Sequence, residues 1–169
     1  MTIESMRDLF EVGLRYIYDC EQTLVKKGLP GMIKGATSPE LRTALEQHLE
    51  ETRTHVTRLE KVFSTIGTEA DTEDNDIIDE MVDAAENMIS DIDASPLRDA
   101  ALIVSGNQVE HYEMAAYGSL VAFAKQLGLR DAAALLQQTL EEEKAADAKL
   151  TQIGESSVNR SAAQEKRAA

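Results

Sequence analysis

The chain has 169 residues, which suits one domain, and 43% of them are hydrophobic, which is enough to bury a core of ordinary size. Lysine and arginine number 17 against 31 aspartates and glutamates, so the formal net charge is -14. This balance disfavours nucleic acid and anionic membranes as partners, because both require clustered basic side chains. With three prolines, nine glycines, no tryptophan and 4% aromatic residues, little material is left for strands, and an all-α fold is expected.

The sequence also limits the compartment. No apolar run approaches the roughly 20 residues needed to span a bilayer. The first ten residues lack the basic and apolar regions of a signal peptide. The single cysteine, Cys20, excludes an intrachain disulfide and an iron centre held by four cysteines of one chain. These features predict a cytoplasmic protein.

The first long helix is predicted over residues 2–27. Its apolar stripe, spaced by three and four residues, is interrupted by Glu21 at a position that periodicity assigns to the core. Taken alone, such a glutamate is more often a boundary residue than a ligand. The sequence Leu29-Pro30-Gly31 predicts a kink or an end to the helix, because proline removes a backbone donor and clashes with the preceding turn.

A helix start signal follows at Ser38 and Pro39, with the serine as N-cap and the proline at the first helical position. The second helix is predicted to run from there to Ile66 and to stop at Gly67. Polar residues replace apolar ones at its middle inward positions, which fall on His48, Glu51 or Thr52, and His55. This group fits a metal site about as well as it fits ordinary buried or surface histidines.

The chain then crosses to the second half of the bundle. Residues 68–76 are acidic and carry no helical pattern, so a solvated connection is expected there. Helical spacing returns over residues 77–92, which predict a shorter crossover helix. Its carboxylates lie mostly opposite the apolar stripe and indicate a solvated face.

The third long helix is predicted over residues 95–127, again from a Ser-Pro start, and is ended by Gly128. Glu110 and Glu113 lie one turn apart on its inward ladder, where the outer members are apolar or small. Both glutamates are therefore expected to point into the bundle.

The fourth helix is predicted over residues 129–153. Acid again replaces apolar residues in the middle of the stripe, at Glu143 and Asp147. Because Glu141 and Glu142 precede Glu143, a charge run on a solvated face is an alternative, and the choice between Glu142 and Glu143 stays open. Residues 155–169 are small, polar and without periodicity, and they predict a flexible tail after a bundle domain of residues 1–154.

All four long helices thus carry acid near mid-length, where antiparallel packing brings helix centres together. The candidate metal ligands are Glu21, His48, Glu51, His55, Glu110, Glu113, Glu143 and Asp147. Buried carboxylates cannot all stay ionised without a counter-charge, and helices that each supply one can build a metal cage. The alternative is that the helical phase drifts and leaves half of these acids at the rim.

Four segments resemble the YciE/YciF stress-response family of ferritin-like proteins: D-C-E-Q-T-L, Q-H-L-E-E-T, V-E-H-Y-E-M-A-A-Y-G-S-L and L-E-E-E-K-A-A-D. The resemblance extends over nearly the whole chain up to the tail. It implies a ferritin-like four-helix bundle with a long crossover, a homodimer, and distant kinship to rubrerythrins and other carboxylate-bridged di-iron proteins. It implies no established reaction, because that family has been defined more by stress-induced expression than by chemistry.

The ferritin-like ligand pattern supplies glutamate from the first and third helices and Glu-x-x-His from the second and fourth. This chain departs from that pattern. Glu51 is followed three residues later by Thr54, with His55 one position further, and Glu143 is followed by Ala146. The third helix instead carries Glu110-x-x-Glu113, which is similar to the rubrerythrin arrangement. A carboxylate-rich site with few histidines suits iron or manganese better than zinc.

The resemblance and the acid pattern together predict a stress protein that binds a dinuclear metal, iron first and manganese second, with ferroxidase or peroxidase-type redox activity. The electron donor is not identified by the sequence. The alternative is a non-catalytic dimeric stress protein, with a vestigial or structural metal site, that acts through a protein partner.

Overall fold

The computed structural model describes residues 2–165; Met1 and residues 166–169 lie outside that range. The helices are α1 (Met6–Thr23), α2 (Leu29–Gly35), α3 (Pro39–Ile66), α4 (Asp76–Asp91), α5 (Pro96–Gln126), α6 (Arg130–Ile153) and α7 (Asn159–Glu165). Two π-helical turns, Leu24–Gly28 and Gly154–Val158, join α1 to α2 and α6 to α7. The described residues form no strand, which confirms the all-α prediction.

Local sequence signals account for the ends of the long helices. Ser38 and Ser95 act as N-caps, each accepting a backbone N–H of the first turn, and each is followed by proline at the first helical position. Gly67 and Gly128 take positive φ values of 78° and 72° just beyond α3 and α5. This left-handed conformation turns the chain out of a helix and strains residues that carry a Cβ.

Four long helices form the bundle. The pairs α1/α3, α3/α6, α6/α5 and α5/α1 pack against each other, and α4 lies on the crossover from α3 to α5. Arg7 near the start of α1 donates to the carbonyl of Ile66 at the end of α3, while Glu21 near the end of α1 meets His55, which shows that these helices are antiparallel. The predicted four-helix bundle with a short extra crossover helix is confirmed.

The sequence around Pro30 changes the helix without ending it. A π-helical turn over Leu24–Gly28 precedes the proline, and the helical path continues to Gly35. Pro30 lies in the first turn of α2. The π turn contains one extra residue, which changes the backbone hydrogen-bond register just before Pro30. The missing N–H of the proline therefore falls in the first turn of α2. The interruption is therefore a change of register within one continuous path.

The segment expected to be a flexible tail is helical over residues 155–165. A second π turn carries the chain from α6 into α7, which packs against α5. Val158 is 4% exposed and belongs to the hydrophobic core. One buried valine in a small polar segment creates no periodicity, so this contact with α5 could not be predicted from the sequence.

Apolar side chains fill both ends of the bundle. Phe10 and Phe63 are buried toward one end, and Leu41 and Ile153 toward the other. Between these ends lies a polar layer that is equally buried. Within residues 2–165, no helix is both long and apolar enough to cross a membrane.

Candidate metal centre

Buried ionisable side chains from all four long helices form the polar layer at mid-bundle. Six of them, here called the central cluster, are at most 8% exposed: Glu21 of α1, His48 and His55 of α3, Glu110 and Glu113 of α5, and Glu143 of α6. The sequence predicted all six as inward candidates. They converge because each lies on the apolar stripe of its helix. Glu21 lies near the end of α1, and the other five lie in the central parts of α3, α5 and α6.

Five of the six residues form two groups of three, here called the two halves, which share Glu143; Glu113 belongs to neither. One half consists of Glu21, His55 and Glu143, whose ligand atoms all lie within 4.8 Å of one another. His55 Nδ1 is 2.9 Å from Glu143 Oε1 and 3.5 Å from Glu21 Oε1. These contacts are close but not aligned as hydrogen bonds, since His55 Nδ1, Glu21 Oε2 and both oxygens of Glu143 have no hydrogen-bond partner. Such a set of converging, unpartnered donor atoms would be satisfied by a cation held between them.

The other half consists of His48, Glu110 and Glu143, which meet the same 4.8 Å condition. His48 Nε2 lies 3.1 Å from Glu110 Oε1 and 4.0 Å from Glu143 Oε2. His48 Nδ1 and Glu110 Oε2 have no hydrogen-bond partner. Glu143 belongs to both halves, so its carboxylate is shared by the two groups of ligand atoms.

The orientation of His55 is fixed from outside the cluster. Its Nε2 lies 3.0 Å from Glu142 Oε2 and must carry the hydrogen there, because a carboxylate only accepts. Arg58 holds Glu142 through two contacts, of 2.6 and 3.1 Å, and donates a further hydrogen bond of 2.6 Å to Thr139. This chain of contacts leaves Nδ1 of His55 facing Glu21 and Glu143. Metal-binding histidines show the same arrangement once that nitrogen has lost its proton.

The same contacts separate the two adjacent glutamates of α6. Glu142 faces Arg58, and its pKa, which partial burial alone would raise, is lowered by the hydrogen bond from that guanidinium. Glu143 is fully buried and faces the central cluster. The structure therefore places Glu143 at the centre and Glu142 in a supporting position. The sequence pattern indicated no role for Arg58, although its spacing of three residues from His55 puts both on one helix face.

Two further side chains touch the carboxylates of the cluster. The hydroxyl of Tyr117, which is fully buried, donates to Glu21 Oε1. The thiol of Cys20 is 3.7 Å from Glu113 Oε1 and is also fully buried. The sequence pattern indicated no specific role for either residue. Tyr117 nevertheless lies one turn beyond Glu113 on the same inward ladder, which is the signal that was available.

The pKa values of the central cluster reflect the burial and the closeness of its acidic side chains. Burial, reinforced by the charges of Glu143, Glu21 and Glu110, raises the pKa of Glu113 well above its ordinary value. Burial also raises the pKa of Glu143 to about 7, even though His55 acts against the shift. Burial alone would lower the pKa of His55, but Glu143 and Glu21 outweigh it and raise that pKa to about 10. The carboxyl groups of Glu113 and Glu143 therefore bind protons more readily than those of exposed glutamates.

Two predicted ligands lie outside the central cluster. The side chain of Glu51 is 56% exposed, with its Oε2 3.6 Å from His48 Nδ1, and Asp147 pairs at 3.2 Å with the exposed His111. Thr52, not Glu51, takes the inward position: it is 1% exposed and its hydroxyl donates to the carbonyl of His48 at 2.8 Å. In α3 a threonine therefore stands three residues before His55, where the ferritin-like pattern has glutamate.

Asp99 shows by contrast how a structural buried acid is satisfied. It is 2% exposed, and its two oxygens accept the backbone N–H groups of Thr37 and Ser38 at 2.7 and 2.8 Å and the hydroxyl of Thr37 at 2.5 Å. These bonds fix the turn before α3. The oxygens of Glu143 have none of this support, which distinguishes the central cluster from ordinary buried polar structure.

A four-helix bundle with a crossover helix, and with carboxylates and histidines converging from its long helices, defines a ferritin-like protein. Residues 5–163 match the family described as a domain of unknown function, DUF892, and the chain belongs to that family. It is 36% identical over 170 residues to the protein YciF from Escherichia coli strain K12, covering 96% of this chain and 98% of YciF. The resemblance to the YciE/YciF family is confirmed.

Two solved structures support the same assignment. The crystal structure of the E. coli stress protein YciF has a TM-score of 0.89 and 35% identity, covering 93% of this chain and 99% of that one. YcfI from Rhodopseudomonas palustris, assigned only provisionally as a structural protein, has a TM-score of 0.86 and 40% identity, covering 88% and 94%.

Proposed function

We propose that this chain is a ferritin-like stress protein whose central cluster binds a dinuclear metal, with iron as the expected metal and manganese as the second candidate. The observation that carries the proposal is the set of unpartnered donor atoms on His55, Glu143, Glu110 and His48, all deep in the bundle. Carboxylate oxygens with two imidazole nitrogens form a donor set that suits these metals.

The ligands of the central cluster would be distributed between two ions. Glu21 and His55 would hold one ion, His48 and Glu110 the other, and Glu143 would lie between them. Bound iron would supply one-electron chemistry for oxidising ferrous iron or reducing peroxide. The protein would contribute a water-poor cavity, a hydrogen bond from Tyr117 that orients Glu21, and a fixed ring orientation at His55. With one cysteine, these 169 residues cannot by themselves hold an electron-transfer centre of the four-cysteine type.

Metal content tests the proposal directly. Protein incubated anaerobically with excess ferrous iron and then desalted should hold up to two ions per chain, because the two groups of ligand atoms share one carboxylate. Elemental analysis measures the content, and ferrous-iron oxidation with oxygen or peroxide measures the redox step. Metal far below one equivalent would rule out the di-metal proposal, whereas full metal without turnover would rule out only the redox step.

A second function is favoured by one observation. His55 Nδ1 and Glu143 Oε1 are 2.9 Å apart, and His48 Nε2 and Glu110 Oε1 are 3.1 Å apart, so protonated histidines could offset part of the acid without metal. The protein would then be a non-catalytic dimeric stress protein with a vestigial or structural site, acting through a protein partner. Absence of both metal and turnover in protein from iron-supplemented cells would support this function.

A homodimer is expected on the family resemblance and on one apolar surface. A groove of about 480 Å³ along α1 and α5 is lined mainly by apolar and aromatic side chains, including Ile3, Leu9, Tyr16, Ile77, Tyr112 and Phe123. Leu9 is 41% exposed and Ile77 is 55% exposed. A second copy of this face would cover them.

Leu9→Glu should therefore yield the monomer mass by light scattering at micromolar concentration, because the charge would be buried in the interface. Leu97→Glu is the matched control, since Leu97 is 48% exposed and does not line the groove. That variant should keep the dimer mass. A wild-type protein that already has the monomer mass would contradict the expectation.

A further inference from the structure

A cleft between α3 and α6 reaches the central cluster on the side of His48 and Glu110. Its volume is about 150 Å³, and His48 and Glu110 are among its lining residues. Glu51 and Lys149, both exposed, also line it. Of the two ligand groups, only the one containing His48 and Glu110 supplies residues to this cleft.

The cleft exists because short side chains face each other across the two helices. Ala44 of α3 and Ala145 and Ala146 of α6 line it. Ala146 is three residues after Glu143, the position at which the ferritin-like pattern places a histidine. A methyl group there leaves space that an imidazole ring would fill.

The atoms beside this space are poised to bind a ligand. His48 is 8% exposed and Glu110 is 2% exposed, and His48 Nδ1 and Glu110 Oε2 both have no hydrogen-bond partner. His48 stands between two acids, with Nε2 3.1 Å from Glu110 and Nδ1 3.6 Å from Glu51. Potential cation ligands thus follow one another from the surface inward: Glu51 at the rim, then His48, then the buried Glu110.

The other half of the cluster is closed. Glu21, His55 and Glu143 have no exposed surface. Tyr117 covers Glu21, and the contact between Arg58 and Glu142 lies behind the ring of His55. An ion held there would have to pass the His48 side to leave, or wait for the bundle to open locally.

We propose that this α3–α6 cleft is the entrance through which divalent cations reach the central cluster, so that the half with His48 and Glu110 exchanges its ion and the half with Glu21 and His55 retains it. This inference rests on the proposed metal binding. It assigns Glu51, which lies outside the cluster, a role in capturing cations at the rim.

Uptake kinetics test the entrance, with cobalt(II) alone as the probe and its visible absorption as the signal. Ala146→Leu should fill the cleft and slow uptake by at least about tenfold while leaving the final cobalt content unchanged, because loading would then depend on local opening. Ala134→Leu is the control, since Ala134 is an exposed alanine of α6 away from the cleft. Equal uptake rates for the two variants would overturn the proposal. If Ala146→Leu also lowers the final cobalt content, the uptake rate of Ala145→Leu decides, because Ala145 is exposed and lines the same cleft.

The charge of Glu51 at the rim of the cleft allows an independent test. Glu51→Gln should slow uptake by about tenfold at low ionic strength, an effect that salt reduces, because a carboxylate at a cleft mouth concentrates cations. Glu50→Gln removes a neighbouring exposed carboxylate, whose side chain is 68% exposed, and should leave uptake unchanged. Equal slowing in both variants would assign the effect to net charge and overturn the role of Glu51.

Release from the wild type tests the two halves. Excess chelator should remove cobalt in two phases of equal amplitude, with the first at least about ten times faster than the second. A single phase would overturn the distinction between an exchanging half and a retaining half. Wild-type protein that binds no cobalt and no iron would instead contradict the proposed function itself, so the two failures are distinguishable.

Discussion

Replacing Glu143 with glutamine should abolish binding of both ions, with each affinity falling by at least about 100-fold, because this carboxylate is shared by the two groups of ligand atoms. No other residue of the central cluster belongs to both groups, so no other single substitution is expected to have so large an effect. Replacing Glu21 or Glu110 should lower the binding affinity for mainly one of the two ions. Elemental analysis after loading with ferrous iron measures the difference.

The same substitution should stabilise the metal-free protein. Glu143 is fully buried, neither of its oxygens has a hydrogen-bond partner, and burial and Glu21 raise its pKa. A neutral amide of similar shape removes the desolvated charge and its repulsion. Thermal unfolding with excess chelator should therefore give a higher melting temperature for Glu143→Gln than for the wild type.

A matched control lies on the same helix. Glu141 is exposed and pairs with Lys144 at 3.0 Å. Glu141→Gln should change the free energy of unfolding by less than about 0.5 kcal/mol and keep the full metal content. If Glu143→Gln also retains full metal and leaves the metal-free stability unchanged, Glu143 does not belong to a metal centre.

The metal-free protein should lose stability as pH rises from about 5 to 9. Glu143 has a folded pKa of about 7, above its ordinary value of 4.5, so its contribution is complete below 4.5 and is lost as pH rises through 7. His55 has a folded pKa of about 10, above its ordinary value of 6.5, so its contribution is lost between those values. Both groups therefore lower the stability as pH rises, Glu143 between about 4.5 and 7 and His55 between about 6.5 and 10. The shift at Glu143 corresponds to about 3 kcal/mol.

Other groups do not reverse this slope. The pKa of Glu113 is raised by burial and by its acidic neighbours, so its contribution is also lost with rising pH. The pKa of Glu51 is lowered by its contact with His48, and that of Glu142 by Arg58 against the effect of burial. The stability that these two provide is lost only as pH falls through their lowered values, below the window.

Denaturant unfolding at pH 5 and pH 8 measures this dependence, with chelator present throughout for the metal-free form. The midpoint should be higher at pH 5 without metal. Loaded protein should show no such advantage at pH 5, because protons and metal ions compete for the same carboxylates and imidazoles. Metal-free stability that is constant or rises between pH 5 and pH 8 would contradict the crowding of acids in the cluster.

Much of the fold was predictable because its signals are local. The Ser-Pro starts before Pro39 and Pro96 and the glycines at 67 and 128 set helix ends through contacts within one turn. Apolar periodicity then assigned the inward face of each helix, and six of the eight predicted ligands lie in the central cluster. That part of the site was predictable because a charged residue in the middle of an apolar stripe points into the core together with its apolar neighbours.

The sequence by itself therefore determined the four long helices and the crossover helix, their order and the mid-bundle layer of acid. The tertiary structure alone decided between Glu51 and Thr52 and between Glu142 and Glu143, because neighbouring residues on a helix differ by about 100° and packing against other helices sets the final rotation. It alone revealed the support of His55 by Glu142 and Arg58, the burial of Val158 and the cleft above His48. Each of these depends on distances between segments far apart in the chain, and no local pattern encodes such distances.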